Sequence, residues 1–303
     1  MTPGAAGRAD TLVRMALPQP PTITHCYRHP DREAGRRCTR CGKPACSECL
    51  VQATVGSHCL DCVRASQPDI KTRVKIANSK QPALVTLVLI AINVSIFLWV
   101  AAEDASTVLG GFGGGGQISK RQFDLGLNRT VLHTYHDWYQ LVSSGFLHFG
   151  VIHLAFNMYL LYALGNMLEP VLGRVKFALL YFAALLGGSA GVLLLTPMND
   201  FAITGGASGA VFGLMGAAAI AMHRQGVNIL QTPIGRLLLL NLVFTFVISG
   251  VSIGGHLGGL VAGTACGAVM LAPKWKPIPE WVKYAMPTAV IVFSIATSVW
   301  RVS

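Results

Sequence analysis

Charge is scarce in this sequence. Asp, Glu, Lys and Arg make up 12% of its 303 residues while apolar residues make up 52%, about half the charged share of an ordinary water-soluble domain. A chain so composed cannot cover a large surface with ions, which argues against a soluble globular fold for most of its length and points to a membrane protein. Acids are the rarer sign, 13 Asp+Glu against 24 Lys+Arg, and beyond position 62 cysteine occurs once, at Cys266, which reads as a small packing residue. The formal charge of +11 would suit nucleic acid, but the basic residues after position 80 stand at the ends of apolar stretches, where they act as topology signals. Nucleic acid is therefore disfavoured as a partner. Residues 1–20 lack a continuous apolar core, with Asp10 and Arg14 inside the one candidate stretch, so no secretory signal is expected there.

What charge there is lies unevenly. Residues 1–80 hold 13 of the Lys+Arg, 6 of the Asp+Glu and seven of the eight cysteines: a polar head on an apolar body. A spanning helix needs about 20 mostly apolar residues, and the body offers seven candidates near 83–102, 149–168, 175–195, 207–222, 234–252, 255–272 and 284–300. The fourth and seventh are short, and the fourth is rich in Gly and Ala. With the N-terminus inside, Arg73, Lys75, Lys80, Arg174, Lys176, Arg224, Arg236, Lys274, Lys276 and Lys283 all fall in the cytoplasm, and the outside keeps Lys120, Arg121, Arg129 and Arg301. That asymmetry predicts a multi-pass protein of the cell membrane, N-terminus cytoplasmic and C-terminus external. Gly110, Gly111 and Gly113 to Gly116 predict a flexible external loop.

Polar groups inside spans are costly, so each is a functional candidate by default. Four stand out: His153, Asn157, Ser208 and His256. Singly, each could be interhelical glue. Their spacing argues for more. His153 and Asn157 are four apart, on one face of the second span. Ser208 opens the fourth span within Gly205-Gly206-Ala207-Ser208-Gly209, where free N–H groups and the helix dipole favour negative charge. Two small-residue ladders recur every four positions: Gly205, Gly209, Gly213, Ala217 and Ala221, and Gly255, Gly259, Gly263 and Gly267. Such stripes let helices meet backbone to backbone. Ser208 lies one residue before a ladder glycine and His256 one after, so packing the ladders brings hydroxyl and imidazole together as nucleophile and base. Phe212, one turn beyond Ser208, is the ring expected to stack on His256. No acid is placed to orient the imidazole, which predicts a dyad. His153, the Asn157 amide and the Ser208 N–H could serve a developing oxyanion.

These residues resemble the rhomboid family of intramembrane serine proteases. Phe146-Leu147-His148-Phe149-Gly150 with His153-Leu154 and Asn157-Met158 is similar to the family's second-span motif. Gly205-Gly206-Ala207-Ser208-Gly209 resembles the nucleophile motif, and Gly255-His256-Leu257-Gly258-Gly259 the motif of the base. The resemblance covers about 83–272 and implies an all-α polytopic bundle of six spans plus one C-terminal span. It implies a serine endopeptidase that cuts transmembrane protein substrates in or near their spans, with no catalytic cofactor: Ser208 the nucleophile, His256 the base, His153 and Asn157 the oxyanion stabilisers, His148 shaping the site. Tyr139-Gln140 departs from the family pattern of an aromatic followed by Arg in the first external loop, leaving that loop without its usual guanidinium.

In the head, Cys26-x2-His29, Cys38-x2-Cys41, Cys46-x2-Cys49 and Cys59-x2-Cys62 make four chelating pairs, enough for two tetrahedral zinc ions. A reducing cytosol disfavours disulfides. Interleaved binding, the first pair with the third and the second with the fourth, resembles a B-box cross-brace, with His58 an alternative ligand to Cys59. A cytoplasmic protein partner is the expected role. The layout is thus a disordered tail at 1–20, a zinc module at 21–66, a basic linker at 67–82, the six-span core at 83–272, and a linker with the seventh helix at 273–303. The rival reading is a noncatalytic rhomboid-like protein that binds membrane clients without cutting them.

Overall fold

The computed structural model describes residues 23–53, 55–67, 82–109, 118–198, 201–248, 250–273, 275 and 277–303, in two compact units, 1–75 and 76–303. The tail expected at 1–20, the glycine run and all but the ends of the expected linker lie outside the described residues.

The first unit is two small antiparallel hairpins and a short helix. Strand β1 (Arg36–Arg37) pairs with β2 (Pro44–Ala45), β3 (Leu50–Gln52) pairs with β4 (Ser57–Cys59), and β4 leads directly into α1 (Leu60–Ser66). Its buried apolar cluster consists of Cys26, Ala45, Cys46 and Cys49, flanked by Tyr27, Leu50 and Leu60. So small a core cannot hold a domain of this size without a further staple.

The second unit is helical throughout. Helices stand at all seven positions expected for spans: α2 (Leu84–Ala101), α6 (Val151–Leu172), α7 (Arg174–Leu195), α8 (Ser208–Arg224), α9 (Pro233–Val247), α10 (Ile253–Met270) and α11 (Val282–Val302). Between α2 and α6 lie three short helices, α3 (Lys120–Leu125), α4 (Arg129–Tyr135) and α5 (Gln140–Ser143). Five helices, α2, α6, α7, α10 and α11, are long and apolar enough to cross a bilayer, and the molecule is a multi-pass membrane protein. Of the seven, the fourth, α8, is short at 17 residues as expected from hydropathy, but the fifth, α9, is shorter still at 15, and the C-terminal helix, expected to be short, runs for 21. Helix α9 stops five residues early because the chain leaves helical geometry at Ile248 and turns at Gly250, with φ of +85°, before Ser252 caps α10.

Helix α10 lies between α8 and α7 in contacts made largely by glycine and alanine. A Cβ added at Gly209 would sit 3.1 Å from the Gly255 carbonyl oxygen, one at Gly213 2.8 Å from that of Gly259, and one at Gly267 2.7 Å from the Cα of Ala217. The two ladders therefore meet as their spacing predicts. A second meeting was not read from the sequence: on its other face α10 sets Gly254 and Gly258 against Gly191 and Gly187 of α7, where a Cβ at Gly258 would lie 3.0 Å from the Cα of Gly191.

Two buried charged groups fasten the rest. The Glu169 carboxylate, on α6, accepts hydrogen bonds from the Val85 and Thr86 N–H groups, both 2.9 Å, and from the Thr86 hydroxyl at 2.7 Å. It thereby satisfies donors that the first turn of α2 leaves open and complements that helix's dipole. At the other end of the bundle Arg129 of α4 donates to Thr196 O at the end of α7 (2.6 Å) and to Arg301 O at the end of α11 (2.9 Å). His133 Nδ1 lies 2.7 Å from Val302 O.

Gly259→Val is expected to cost about 3 kcal/mol or more, because its Cβ alone already overlaps the Gly209 backbone and overpacking is not relieved in a backbone contact. A lowered thermal midpoint of the purified protein in detergent checks this; an unchanged midpoint would mean that the α8–α10 contact carries no stability.

Candidate active site and metal-ligand clusters

The segment leading into α8 is held from three directions. Leu127 and Thr204 exchange backbone hydrogen bonds (2.8 and 2.9 Å), the Gly206 N–H donates to Ser144 O (2.8 Å), and the Ala207 N–H reaches His148 Nε2 (3.4 Å). Gly206 turns with φ of +139°, a conformation that side chains rarely adopt, and delivers Ser208 as the first residue of α8. Its N–H therefore has no acceptor within the helix.

Ser208 Oγ lies 2.8 Å from His256 Nε2, within reach for proton transfer. The imidazole is stacked on Phe212 with ring centroids 4.1 Å apart and planes 18° from parallel, as expected from the one-turn offset. On its far side His256 Nδ1 meets the Thr245 hydroxyl at 2.7 Å. Thr245, on α9, was not anticipated: no motif marks it, and only the packing of α9 beside α10 brings it there. Among the described residues no acid hydrogen-bonds His256.

His153 and Asn157 border the same space. A Cβ at Gly206 would lie 2.9 Å from His153 Nε2 and 3.6 Å from Ser208 Oγ, so the His153 ring edge and the hydroxyl flank one small volume. The Asn157 amide donates one of its two N–H hydrogens to its own helix at His153 O (2.9 Å), which leaves the other for a second acceptor. A cavity of about 230 Å³ is lined by Ser208, His256, His153, Asn157 and Phe212 together with Asn241, Phe244 and Thr245. His148 stays behind this lining, 1% exposed, its ring edge-on to His153 at 5.1 Å. Gln140, where a guanidinium was missed, is buried and ties the loop by its amide, donating to Asp124 O (3.3 Å) and accepting from the Asn128 N–H (3.5 Å).

In the first unit the eight candidate ligands form two groups, Cys26, His29, Cys46 and Cys49, and Cys38, Cys41, Cys59 and Cys62, with ligand atoms within 4.8 Å of one another in each. This is the interleaved grouping, with Cys59 rather than His58 in the second. His29 Nδ1 lies 3.5 Å from the sulfurs of Cys46 and Cys49, and the sulfurs of Cys41 and Cys59 are 3.6 Å apart. Four sulfurs around a tetrahedral zinc would be about 3.8 Å apart, given the usual metal–sulfur length, so either group could hold such an ion. Burial pushes the Cys38 thiol up, but backbone N–H groups of Cys59, Cys41 and Arg40 donate to it and bring it down to about 6. Cys26, likewise raised by burial, is brought to about 6 by the N–H groups of Cys46, Arg28 and His29. In the same two groups Cys49 is pushed up to about 11 by burial and by Cys26 and Cys46, and Cys62 up to about 12 by its hydrogen bond with Cys41 and by burial, so one sulfur in each group leans toward the thiolate and another toward the thiol.

Residues 135–273 match the Rhomboid domain family. The chain is 30% identical over 181 residues to "Rhomboid protease GluP" of Bacillus subtilis, covering 59% of this chain and 35% of that protein. It is 34% identical over 151 residues to "RHOMBOID-like protein 5" of Arabidopsis thaliana, 48% of each. It is 31% identical over 172 residues to "Rhomboid-like protease 1" of Toxoplasma gondii, 54% of this chain and 58% of that one. The chain thus spans between about a third and three fifths of the length of these curated relatives.

Proposed function

Taking residues 135–273 as a rhomboid domain, we propose that the protein is an intramembrane serine endopeptidase acting through Ser208 and His256. The observation that carries this reading is the 2.8 Å contact of Ser208 Oγ with His256 Nε2 inside a cavity. In the proposed reaction His256 takes the Ser208 proton as Oγ attacks a peptide carbonyl, then gives it to the departing amine. The oxyanion is met by the Ser208 N–H, by His153 and by the second N–H of the Asn157 amide. His148 acts behind His153, and Phe212 holds the imidazole plane. A client-binding protein that does not cut has no use for this alignment of hydroxyl and imidazole, so the geometry favours the protease.

The proposed substrates are membrane proteins with a transmembrane segment, drawn from a bilayer that the molecule crosses seven times with its N-terminus in the cytoplasm. In the test, tagged single-span proteins are incubated with the purified protein in liposomes. Wild type is expected to cut, and Ser208→Ala and His256→Ala to lose at least about 1,000-fold in rate. Asn157→Ala should lose about 10- to 100-fold. Cutting that survives Ser208→Ala would end the proposal, and a wild type that cuts no member of the panel would move the reading to client binding.

We further propose that the N-terminal unit is a zinc module, with Cys26, His29, Cys46 and Cys49 on one ion and Cys38, Cys41, Cys59 and Cys62 on another, serving as a cytoplasmic protein-interaction element. The paucity of its apolar core supports a metal as the missing staple. Elemental analysis should find two zinc ions per chain and at most one after replacing Cys38 and Cys41 by Ser, and chelation should expose residues 23–67 to proteolysis. Metal-free protein that resists the protease would contradict the assignment.

A further inference from the structure

We infer that Thr245 is the positioning residue for His256, its hydroxyl standing where an acid would complete a triad; this rests on the protease reading above. A hydroxyl has a single hydrogen to give. Thr245 gives it to Asn241 O, 2.8 Å away on its own helix, and so can offer only a lone pair to His256 Nδ1 at 2.7 Å. Nδ1 therefore carries the ring proton. In the neutral imidazole that leaves the free lone pair on Nε2, facing the Ser208 hydroxyl at 2.8 Å, the one tautomer able to accept the serine proton. The opposite tautomer would turn an N–H toward Ser208 and leave the buried Thr245 oxygen without a donor.

A threonine bonded to the carbonyl four residues back is common in helices and by itself means little. Here the second contact is what needs an explanation. Thr245 is 1% exposed, and the buried residues of α9 are Gly235, Asn241 and Thr245, none of them a large apolar group. The face that α9 turns inward is thus marked by a polar pair one turn apart, both lining the cavity around Ser208. During the reaction the Ser208 proton moves to Nε2 and on to the leaving amine, while the Nδ1 proton stays in its bond to Thr245, which changes neither charge nor protonation. The hydroxyl orients the ring and holds its tautomer without supplying the counter-charge of a carboxylate.

The test uses full-length protein with histidine ring nitrogens labelled, read by 15N NMR against His256→Ala to assign the signal. A protonated Nδ1 and an unprotonated Nε2 are expected for His256; the reverse assignment would overturn the inference without any change at Thr245. Kinetics give a second reading from cleavage of a single-span substrate and from labelling of Ser208 by a fluorophosphonate. Thr245→Val, which keeps shape and removes the hydroxyl, should lower kcat and the labelling rate about 10- to 100-fold with KM unchanged. Thr245→Ser should restore most of the rate, which a purely structural role would not require. If Thr245→Val proves unstable, the ring-nitrogen assignment of the unaltered protein decides by itself. Wild-type rates in the hydroxyl-free variant while Ser208→Ala is inert would sink the positioning role and leave the protease standing. A wild type as inert as Ser208→Ala would remove both.

Discussion

The structure depends on a missing atom. Where α10 crosses α8 and α7, the side-chain layer that normally separates helices is thinned, and at most crossing points glycine meets glycine, alanine or a bare carbonyl. Within a bilayer no hydrophobic force drives helices together, since lipid is as apolar as leucine, so association relies on close dispersion contact and on polar links. The glycines make the first possible and so define the second: the 2.8 Å separation of Ser208 and His256 is a property of the α8–α10 axis distance. Because α7 closes on the other face of α10 in the same manner, α10 has no room to shift sideways, and the imidazole inherits that rigidity.

Against this rigid layer the rest of the site is assembled from chain ends and loops. Ser208 stands at a helix start, His256 in the first turn of α10, and the backbone before Ser208 is fixed by Leu127, Ser144 and His148 from the segment preceding α6. A polar pocket in an apolar body is thus built where helices begin, the one part of a helix whose N–H groups are unspent. The same economy recurs at the far end of α6, where Glu169 meets the open N–H groups of α2.

Much of this was legible beforehand, for a physical reason. Periods of four in small residues report a helix face directly, and the offsets of Ser208 and His256 from their ladders were enough to predict that they meet, as was the one-turn offset for Phe212. Spacing gave the four cysteine and histidine pairs, while their interleaved grouping came from the resemblance to a B-box cross-brace. Thr245 was not legible, because α9 carries no small-residue stripe and its inward face shows only in three dimensions. The glycines at 187 and 191 were in view but unread, since the partner for them lay on a helix already assigned one. Hydropathy also overran the end of α9: Ile248 and Val251 are apolar enough to extend a span, and nothing in an average of apolarity registers the left-handed turn at Gly250. Gln140 was read as a loss of anchoring, yet an amide that both donates and accepts can staple a loop that a cation would only attract.

Arg129 offers a last consequence. The residue is 4% exposed and its guanidinium is gripped by carbonyl oxygens at the ends of two helices, with no carboxylate bonded to it among the described residues. An ordinary surface ion pair loosens as ionic strength rises because mobile ions stand in for each partner. Carbonyl dipoles locked into helices have no such substitutes in solution. The last helix of the bundle is therefore fastened by a clasp that salt cannot pick, and its hold should be as firm in dilute buffer as in brine.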